Sequence, residues 1–417
     1  MLLCIFIISC ATVALSDNSV RFAAIIYRHG DRTPVDTYPK DPYRNQSLWP
    51  VKWGELTNVG KRQHYVLGQW LRQRYSHLLS KDFDPSEIYV RSTDVDRTLM
   101  SAQSNLAGMY PPVGKSIWDN LLMWQPIPVH TEPELMDELL AMKRPCPAYD
   151  KEQQKLIHSK EYIERLNSYK KLMHYLSANT GLKVKDYDDI GYIYSTLYIE
   201  TLYNFTLPNW TQSVYPDKLK EPSGYSFATP TATKIMARLK SGPLLKQITS
   251  HMTNAIANEH LKHYKVMIYS GHDFTIGNIL NSLGLYDGVC PVYTSTIFFE
   301  LIYDNSTSSH YVRISYRNST QIVEPHVLSI PDCGEACPVD KFMKIYDDLL
   351  KVDWEYECGE QFQVFLDASF VAGLGLFMVI YVLHKVYFTR VYKKIQNNMA
   401  YTSIHNQVVT TIKVNDN

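Results

Sequence analysis

The chain has 417 residues, 45% of them hydrophobic, and 31 tyrosines, enough for a sizeable core. Its 42 basic and 42 acidic residues balance, which excludes the broad positive footprint of a nucleic-acid binder, so no nucleic-acid partner is expected. Any recognition of an anion must be local.

Residues 1–16 are a short apolar stretch closing on Ala14-Leu15-Ser16, a small-x-small pattern. They read as a secretory signal peptide, although the first residues lack the usual positive charge. Arg21 to Tyr27 is an apolar, strand-like run that leads straight into Arg28-His29-Gly30-Asp31-Arg32-Thr33-Pro34. Thr57 is placed to cap a helix running to about Leu79, with Leu67, Leu71, Tyr75 and Leu78 on one face. Ile88-Tyr89-Val90 predicts a short second strand, followed by Arg91-Ser92-Thr93-Asp94-Val95-Asp96-Arg97-Thr98 and another helical stretch.

From about Trp124 to His251 the character changes. Pro126, Pro128 and Pro133 cluster, and long charged helices follow over Lys151–Ser177 and Thr231–Asn258. This predicts a mainly helical cap over about residues 125–255. The strand signal resumes at Lys265-Val266-Met267-Ile268-Tyr269, runs into Ser270-Gly271-His272-Asp273 and gives way to a helix. Tyr293–Tyr303 and His310–Tyr316 predict further strands. The expected fold is α/β: a mostly parallel central sheet flanked by helices, with the cap as an insertion.

Residues 365–388 are strongly apolar, long enough against the roughly 20 residues needed to cross a bilayer. Arg390, Lys393 and Lys394 follow, which places the tail on the cytoplasmic side of a single C-terminal transmembrane helix. The predicted organisation is a signal peptide over 1–16, an ectodomain over 17–362, the membrane helix over 365–388 and a tail over 389–417. Asn-x-Ser/Thr sequons at Asn45, Asn204, Asn209, Asn305 and Asn318 all fall within that ectodomain, as N-glycosylation requires. Of seven cysteines, Cys4 and Cys10 leave with the signal peptide. Cys146, Cys290, Cys333, Cys337 and Cys358 remain, an odd number for an oxidising compartment, so one is free or pairs between chains. No Cys-x-x-Cys pair suggests zinc, and His260 and His263 read as surface residues on a helix end rather than metal ligands.

The chemistry concentrates in loops that follow strands. A histidine between two arginines is disfavoured in its charged form, which keeps it a neutral nucleophile. Arg28 and Arg32 also offer planar, bidentate donors to an oxyanion such as phosphate. Arg97 follows the second strand, and Gly271-His272-Asp273 follows the later one at a helix start, where backbone amides add anion affinity. Two histidines, three arginines and one carboxyl suffice to bind phosphate, attack it and protonate its leaving group. The sequence leaves rivals open: Arg97 could pair with Asp94 or Asp96, and Asp273 could be a plain helix cap.

These motifs resemble those of the histidine acid phosphatases. The match rests on Arg28 to Pro34, on Arg91-Ser92-Thr93-Asp94-Val95-Asp96-Arg97-Thr98-Leu99-Met100-Ser101 and on Gly271-His272-Asp273. It extends through Trp124-Gln125-Pro126-Ile127-Pro128-Val129-His130 and Asn204-Phe205-Thr206-Leu207-Pro208 and is strongest to the animal lysosomal and prostatic group. The resemblance implies a phosphohistidine mechanism without cofactor or metal: His29 as nucleophile, Asp273 as proton donor, and Arg28, Arg32, Arg97 and His272 holding phosphate. It implies an acid optimum, small-molecule or protein phosphomonoesters as substrates, and a homodimer. It also implies disulfides Cys146–Cys358 and Cys333–Cys337, with a third family pair replaced here by Ile199 and Thr296, which leaves Cys290 as an extra thiol. Tyr401-Thr402-Ser403-Ile404 on the tail fits a tyrosine-x-x-apolar sorting signal. The expected place is a type I membrane protein of the lysosome, or of the plasma membrane with the ectodomain outside. Two other readings share the fold: a phytase-like or lysophospholipid phosphatase, and a non-catalytic surface ectodomain.

Overall fold

The computed structural model describes residues 18–257, 264–359 and 375–390. The signal peptide, His260 and His263, the first part of the 365–388 segment, and Tyr401 and Ile404 lie outside the described residues. The chain divides into two units, at Met1–Cys358 and Gly359–Asn417.

One sheet organises the first unit. Its strands are β1 (Asn18–Arg28), β2 (Ile88–Ser92), β3 (Val266–Gly271), β4 (Thr296–Asp304), β5 (Ser309–Arg317) and the short β6 (His326–Val327) and β7 (Cys337–Pro338). The order is β2-β3-β1-β4-β5-β6, with β7 also against β5. β2, β3 and β1 are parallel, whereas β4 lies antiparallel to β1 and β5 antiparallel to β4. The sheet is therefore mixed, not mostly parallel as expected. The cause is local: β4 and β5 are joined by a four-residue turn over 305–308, and strands joined by a tight turn can only pair antiparallel.

β1 explains the apolar run that opens the chain. Its residues Phe22 to Tyr27 are fully buried because helices cover both faces. Side chains alternate across a strand, so Phe22, Ala24 and Ile26 enter one core cluster while Ala23, Ile25 and Tyr27 enter another. The second cluster is shared with α1 (Asn58–Arg74) and α2 (Asp96–Met109). Thr57 caps α1 as expected, its hydroxyl accepting from the Gly60 N–H at 3.2 Å. The helix ends at Arg74 rather than near Leu79, because Tyr75 leaves helical geometry. α1 and α2 cross where Gly68 faces the Asn105 carbonyl and Gly108 faces that of Tyr65, with no room for a Cβ on either.

The helical stretch is more broken than its charge pattern suggests. It comprises α3 (Pro147–Ile157), α4 (Lys160–Ser168), α5 (Lys170–Thr180), α6 (Tyr187–Leu202), α7 (Asp217–Ala228) and α8 (Lys234–Ala257). Ser159 caps α4 and Tyr169 forms the joint to α5, so the run over 151–177 holds three helices. α5 and α6 build a cluster of their own around Leu176, Ile190, Ile193 and Leu197. α8 instead packs on the sheet, placing Leu244, Leu245 and Ile248 beside Phe22 and Ile26. After β3 the chain enters α9 (Asp273–Ser282).

Disulfides join Cys146 to Cys358 and Cys333 to Cys337, and Cys290 is a half-buried free thiol. Such pairing marks an oxidising, secretory compartment. Ile199 is buried beside Trp49 and Tyr293, and the Thr296 hydroxyl donates to the Thr294 carbonyl. The sequon residues Asn45, Asn204, Asn209 and Asn305 are exposed, while Asn318 is half-buried and accepts from the Val292 N–H. In the second unit, residues 375–390 form a helix whose apolar side chains are exposed. Among the described residues no helix is long and apolar enough to cross a membrane.

Two carboxyl groups meet in the interior. Asp41, from the loop after β1, and Glu200, from α6, are both buried, and among the described residues neither Asp41 Oδ2 nor either Glu200 oxygen meets a hydrogen-bond donor. Burial, and then the neighbouring charge of Asp41, raise Glu200 well above the usual carboxyl range. The folded pair keeps a proton that the unfolded chain gives up once pH passes that range, so its contribution to stability is greatest in acid and falls as pH rises. Thermal denaturation should show a Tm that drops between about pH 5 and about pH 8, by more in the native chain than in Glu200→Gln. Equal pH slopes for the two proteins would remove this pair from the account of acid stability.

Candidate active site

The three parallel strands end at one edge of the sheet, and their C-terminal loops converge there, as ligand sites of open α/β sheets do. β1 ends in Arg28, and the following loop is pressed against the start of α1. Gly30 and Gly60 face each other so closely that a Cβ on Gly30 would strike the Gly60 carbonyl and one on Gly60 the Asp31 carbonyl. Gln63 accepts from the Asp31 N–H at 2.9 Å, and Thr57 donates to the Asp31 carboxylate at 2.5 Å. The loop is thereby held on a rigid support.

His29 sits at its centre, 1% exposed. Its N–H donates to Gly271 and its carbonyl accepts from the Thr294 N–H. The Nδ1–H donates to the Gly30 carbonyl at 2.8 Å, which assigns the proton to Nδ1 and the lone pair to Nε2. Burial first, and then Arg28, Arg97 and Arg32, hold the ring well below the usual histidine range, so it is neutral.

Three guanidinium groups line one cavity. Arg28 donates to the Pro291 carbonyl at 2.5 Å, pairs with the Asp273 carboxylate at 2.8 Å and lies 4.4 Å from the centre of the Tyr293 ring. Arg32 donates to the Thr33 carbonyl. Arg97, in the first turn of α2, reaches His272 Nδ1 at 3.4 Å rather than Asp94 or Asp96. An arginine can only donate, so Nδ1 accepts, and the His272 Nε2–H donates to the Thr93 hydroxyl at 3.0 Å. Burial, and then Arg97, push His272 down to about 3. Burial, with Arg32 beside it, lowers Arg97 to about 10. Among the described residues the buried Nε atoms of Arg28, Arg32 and Arg97 find no hydrogen-bond partner.

Asp273 opens α9, where its Oδ1 accepts from the Phe274 N–H. Burial would raise its carboxyl, but Arg28, Arg32 and His272 outweigh that and hold it below the usual range. All six side chains singled out for chemistry thus meet in one place. Five of them, all but His29, line a cavity of about 800 Å³, and the His29 ring lies 5.7 Å from that of His272; Tyr149, Tyr192, Tyr194, Tyr198, Phe227 and Phe274 also line it. Cys290 also faces it, its thiol pushed up to about 12 by burial and then by Asp273. Among the described residues no group of three or more His, Cys, Asp or Glu side chains is placed to hold a metal ion.

Several supporting residues carry no sequence signal of their own. Tyr293 stacks under Arg28 and donates to the Arg32 carbonyl; Thr294 gives its N–H to the His29 carbonyl; Pro291 supplies only a carbonyl. Each is brought to the loop from far along the chain. Thr93 stood within a motif, but its partner His272 is 179 residues away.

A family model for the histidine phosphatase superfamily (branch 2) matches residues 19–317. The chain is 39% identical to a lysosomal acid phosphatase of Xenopus laevis over 390 residues, covering 92% of this chain and 89% of that protein. It is also 39% identical to the prostatic acid phosphatase of Homo sapiens over 346 residues, covering 82% and 88%. Among solved structures, a Hafnia alvei phytase in complex with tartrate superposes with a TM-score of 0.59 at 18% identity, over 80% of this chain and 98% of that one, which speaks for the fold alone. Three converging arginines, a neutral buried histidine and a flanking carboxylate occur here in a chain that belongs to the histidine phosphatase superfamily, branch 2, among its acid phosphatases.

Proposed function

We propose that the protein hydrolyses phosphate monoesters through a phosphohistidine intermediate, with His29 as nucleophile and Asp273 as proton donor. The observation that carries this is the His29 tautomer: Nδ1–H is committed to the Gly30 carbonyl, leaving the Nε2 lone pair free beside three guanidinium groups. Nε2 attacks phosphorus, the ester P–O bond breaks, and the departing alkoxide takes the Asp273 proton. Water then attacks phosphorus and gives a proton back to Asp273, the P–N bond breaks, and phosphate leaves. Arg28, Arg32 and Arg97 hold the phosphate oxygens and supply the charge stabilisation that phosphoryl transfer needs; His272, neutral in the free site with its one N–H on Thr93, joins them once the bound phosphate draws a proton onto Nδ1. In the free site Arg28 keeps Asp273 ionised. A bound phosphate competes for Arg28 and places negative charge beside the carboxyl, which favours its protonated form at acid pH.

The outer cavity argues for simple monoesters over inositol polyphosphates. Beyond the arginines it offers Lys143 and Lys240 against Asp150 and Asp188. Both lysines are already engaged, Lys143 with Glu134 and Lys240 with the Met142 carbonyl and the Tyr149 ring. A polyanion therefore finds little uncommitted positive charge, whereas the aromatic wall suits an apolar or aromatic leaving group.

The wider organisation fits an anchored, lumenal or extracellular enzyme. The apolar 365–388 segment, exposed apolar side chains over 375–390 and the basic residues after it support one membrane-spanning helix with a cytoplasmic tail. The disulfides and the exposed sequons at Asn45, Asn204, Asn209 and Asn305 support the lumenal side, and Tyr401 with Ile404 supports lysosomal sorting. A homodimer is supported by one apolar surface stretch: Trp118, Leu121 and Met123 are 59%, 96% and 66% exposed, with Ile117, Leu122 and Trp124 beside them.

Replacing His29 with Ala should abolish p-nitrophenyl phosphate hydrolysis at acid pH, and retained turnover would remove it as nucleophile. Asp273→Asn should cost about 10²-fold on alkyl phosphates and markedly less on p-nitrophenyl phosphate, whose leaving group needs little protonation. On a substrate panel, aryl and small alkyl phosphates should be cleaved with higher kcat/KM than inositol hexakisphosphate; the reverse order would favour the phytase reading. In sedimentation velocity the ectodomain should run as a dimer that Leu121→Asp converts to monomer, and a monomeric native ectodomain would refute the dimer.

A further inference from the structure

His64 of α1 is fully buried beneath the loop that carries the nucleophile, its ring 4.7 Å from that of Tyr27. Its Nε2–H donates to the Arg28 carbonyl at 3.1 Å. A carbonyl can only accept, so the proton lies on Nε2, and the buried Nδ1 has no partner among the described residues. Burying a polar nitrogen in this way costs free energy that an apolar side chain of similar size would avoid. What such a side chain could not supply is the donor.

That donor acts at a decisive peptide. The Arg28 carbonyl belongs to the plane joining Arg28 to His29, and the His29 N–H at its other end donates to the Gly271 carbonyl at 3.0 Å. Held on both sides, the plane cannot rotate, and it sets the direction in which the His29 side chain leaves the backbone. The two residues it joins depend on it unequally. The Arg28 guanidinium is fixed separately by Pro291, Asp273 and Tyr293. The His29 side chain has one hydrogen bond, from Nδ1 to the Gly30 carbonyl of its own loop. Loosening the plane therefore disturbs the aim of the nucleophile more than the grip on phosphate. His64 completes a face of α1 turned to this loop, together with Thr57, Gly60 and Gln63.

We propose that His64 is a positioning residue for phosphoryl transfer, fixing the Arg28–His29 peptide plane so that His29 Nε2 points at phosphorus. This rests on His29 being the nucleophile, which the His29→Ala variant tests separately: turnover by that variant would overturn the nucleophile and not the contact of His64.

The purified chain is compared with His64→Phe, which keeps the bulk and loses the donor, and His64→Gln, whose amide N–H₂ lies near the place of Nε2. The measurements are kcat and KM for p-nitrophenyl phosphate, the inhibition constant of inorganic phosphate, and Tm. His64→Phe is expected to lower kcat about tenfold or more while the phosphate constant stays within about threefold, and His64→Gln to recover most of the kcat. Should the Phe variant fail to fold, His64→Asn, whose amide is too short to reach, takes its place against His64→Gln. A Phe or Asn variant turning over at the native rate overturns the proposal. So does a loss of kcat matched by an equal loss of phosphate affinity with no recovery in His64→Gln.

Discussion

Three guanidinium groups and a neutral imidazole share one cavity with a single close carboxylate, and the rest of the structure serves to hold them there. Like charges repel, and repulsion grows as water is excluded. Arg28 and Arg32 are each tethered through a backbone carbonyl, of Pro291 and Thr33, and Arg28 also forms an ion pair with Asp273. Carbonyl tethers fix direction without neutralising charge. All three arginines line the cavity, and each guanidinium carries five N–H donors, which suits a guest with several negative oxygens. Such a site is stable only on a scaffold that cannot relax, and the meeting of Gly30 with Gly60 backbone to backbone supplies that stiffness.

The state of His29 follows from this arrangement, with a shift of emphasis. The flanking arginines do disfavour its protonated form, but burial is the larger cause. The distinction matters because burial is a property of the whole fold. A histidine between two arginines on an open loop would keep part of its basicity in water, whereas this one is kept neutral by the walls around it. Asp273 meets the opposite balance: burial alone would raise its carboxyl, and the arginines more than reverse that. The same charges therefore bias His29 and Asp273 toward complementary states, one neutral and one ionised. The buried Asp41–Glu200 pair contributes more to stability in acid than at neutral pH.

The fold says less about substrate than the cavity does. Phytases of under 25% identity share the architecture, and one architecture hosts many specificities. What bears on substrate in this chain is the cavity lining, which includes six tyrosine and phenylalanine side chains and two lysines already engaged.

Local pattern determined a good deal by itself. The apolar run of β1 announced a buried strand, and Thr57 announced a helix start, because burial on both faces and a side-chain cap are short-range requirements. The order of charged and reactive residues from Arg28 to Arg32, at Arg97 and at His272-Asp273 announced the chemistry, because only a few residue types can bind and cleave a phosphate ester. Tertiary structure decided the remainder. The turn over 305–308 reverses the chain and makes the sheet mixed, and Ser159 and Tyr169 break a charged run that looks continuous. Arg97 turns to His272 and away from Asp94 and Asp96 because α2 starts at the cavity edge. Tyr293, Pro291 and His64 touch the Arg28–Arg32 segment from positions that no local pattern marks. Their roles depend on contacts between residues far apart in the chain, and such contacts exist only once the sheet has brought its strand ends together.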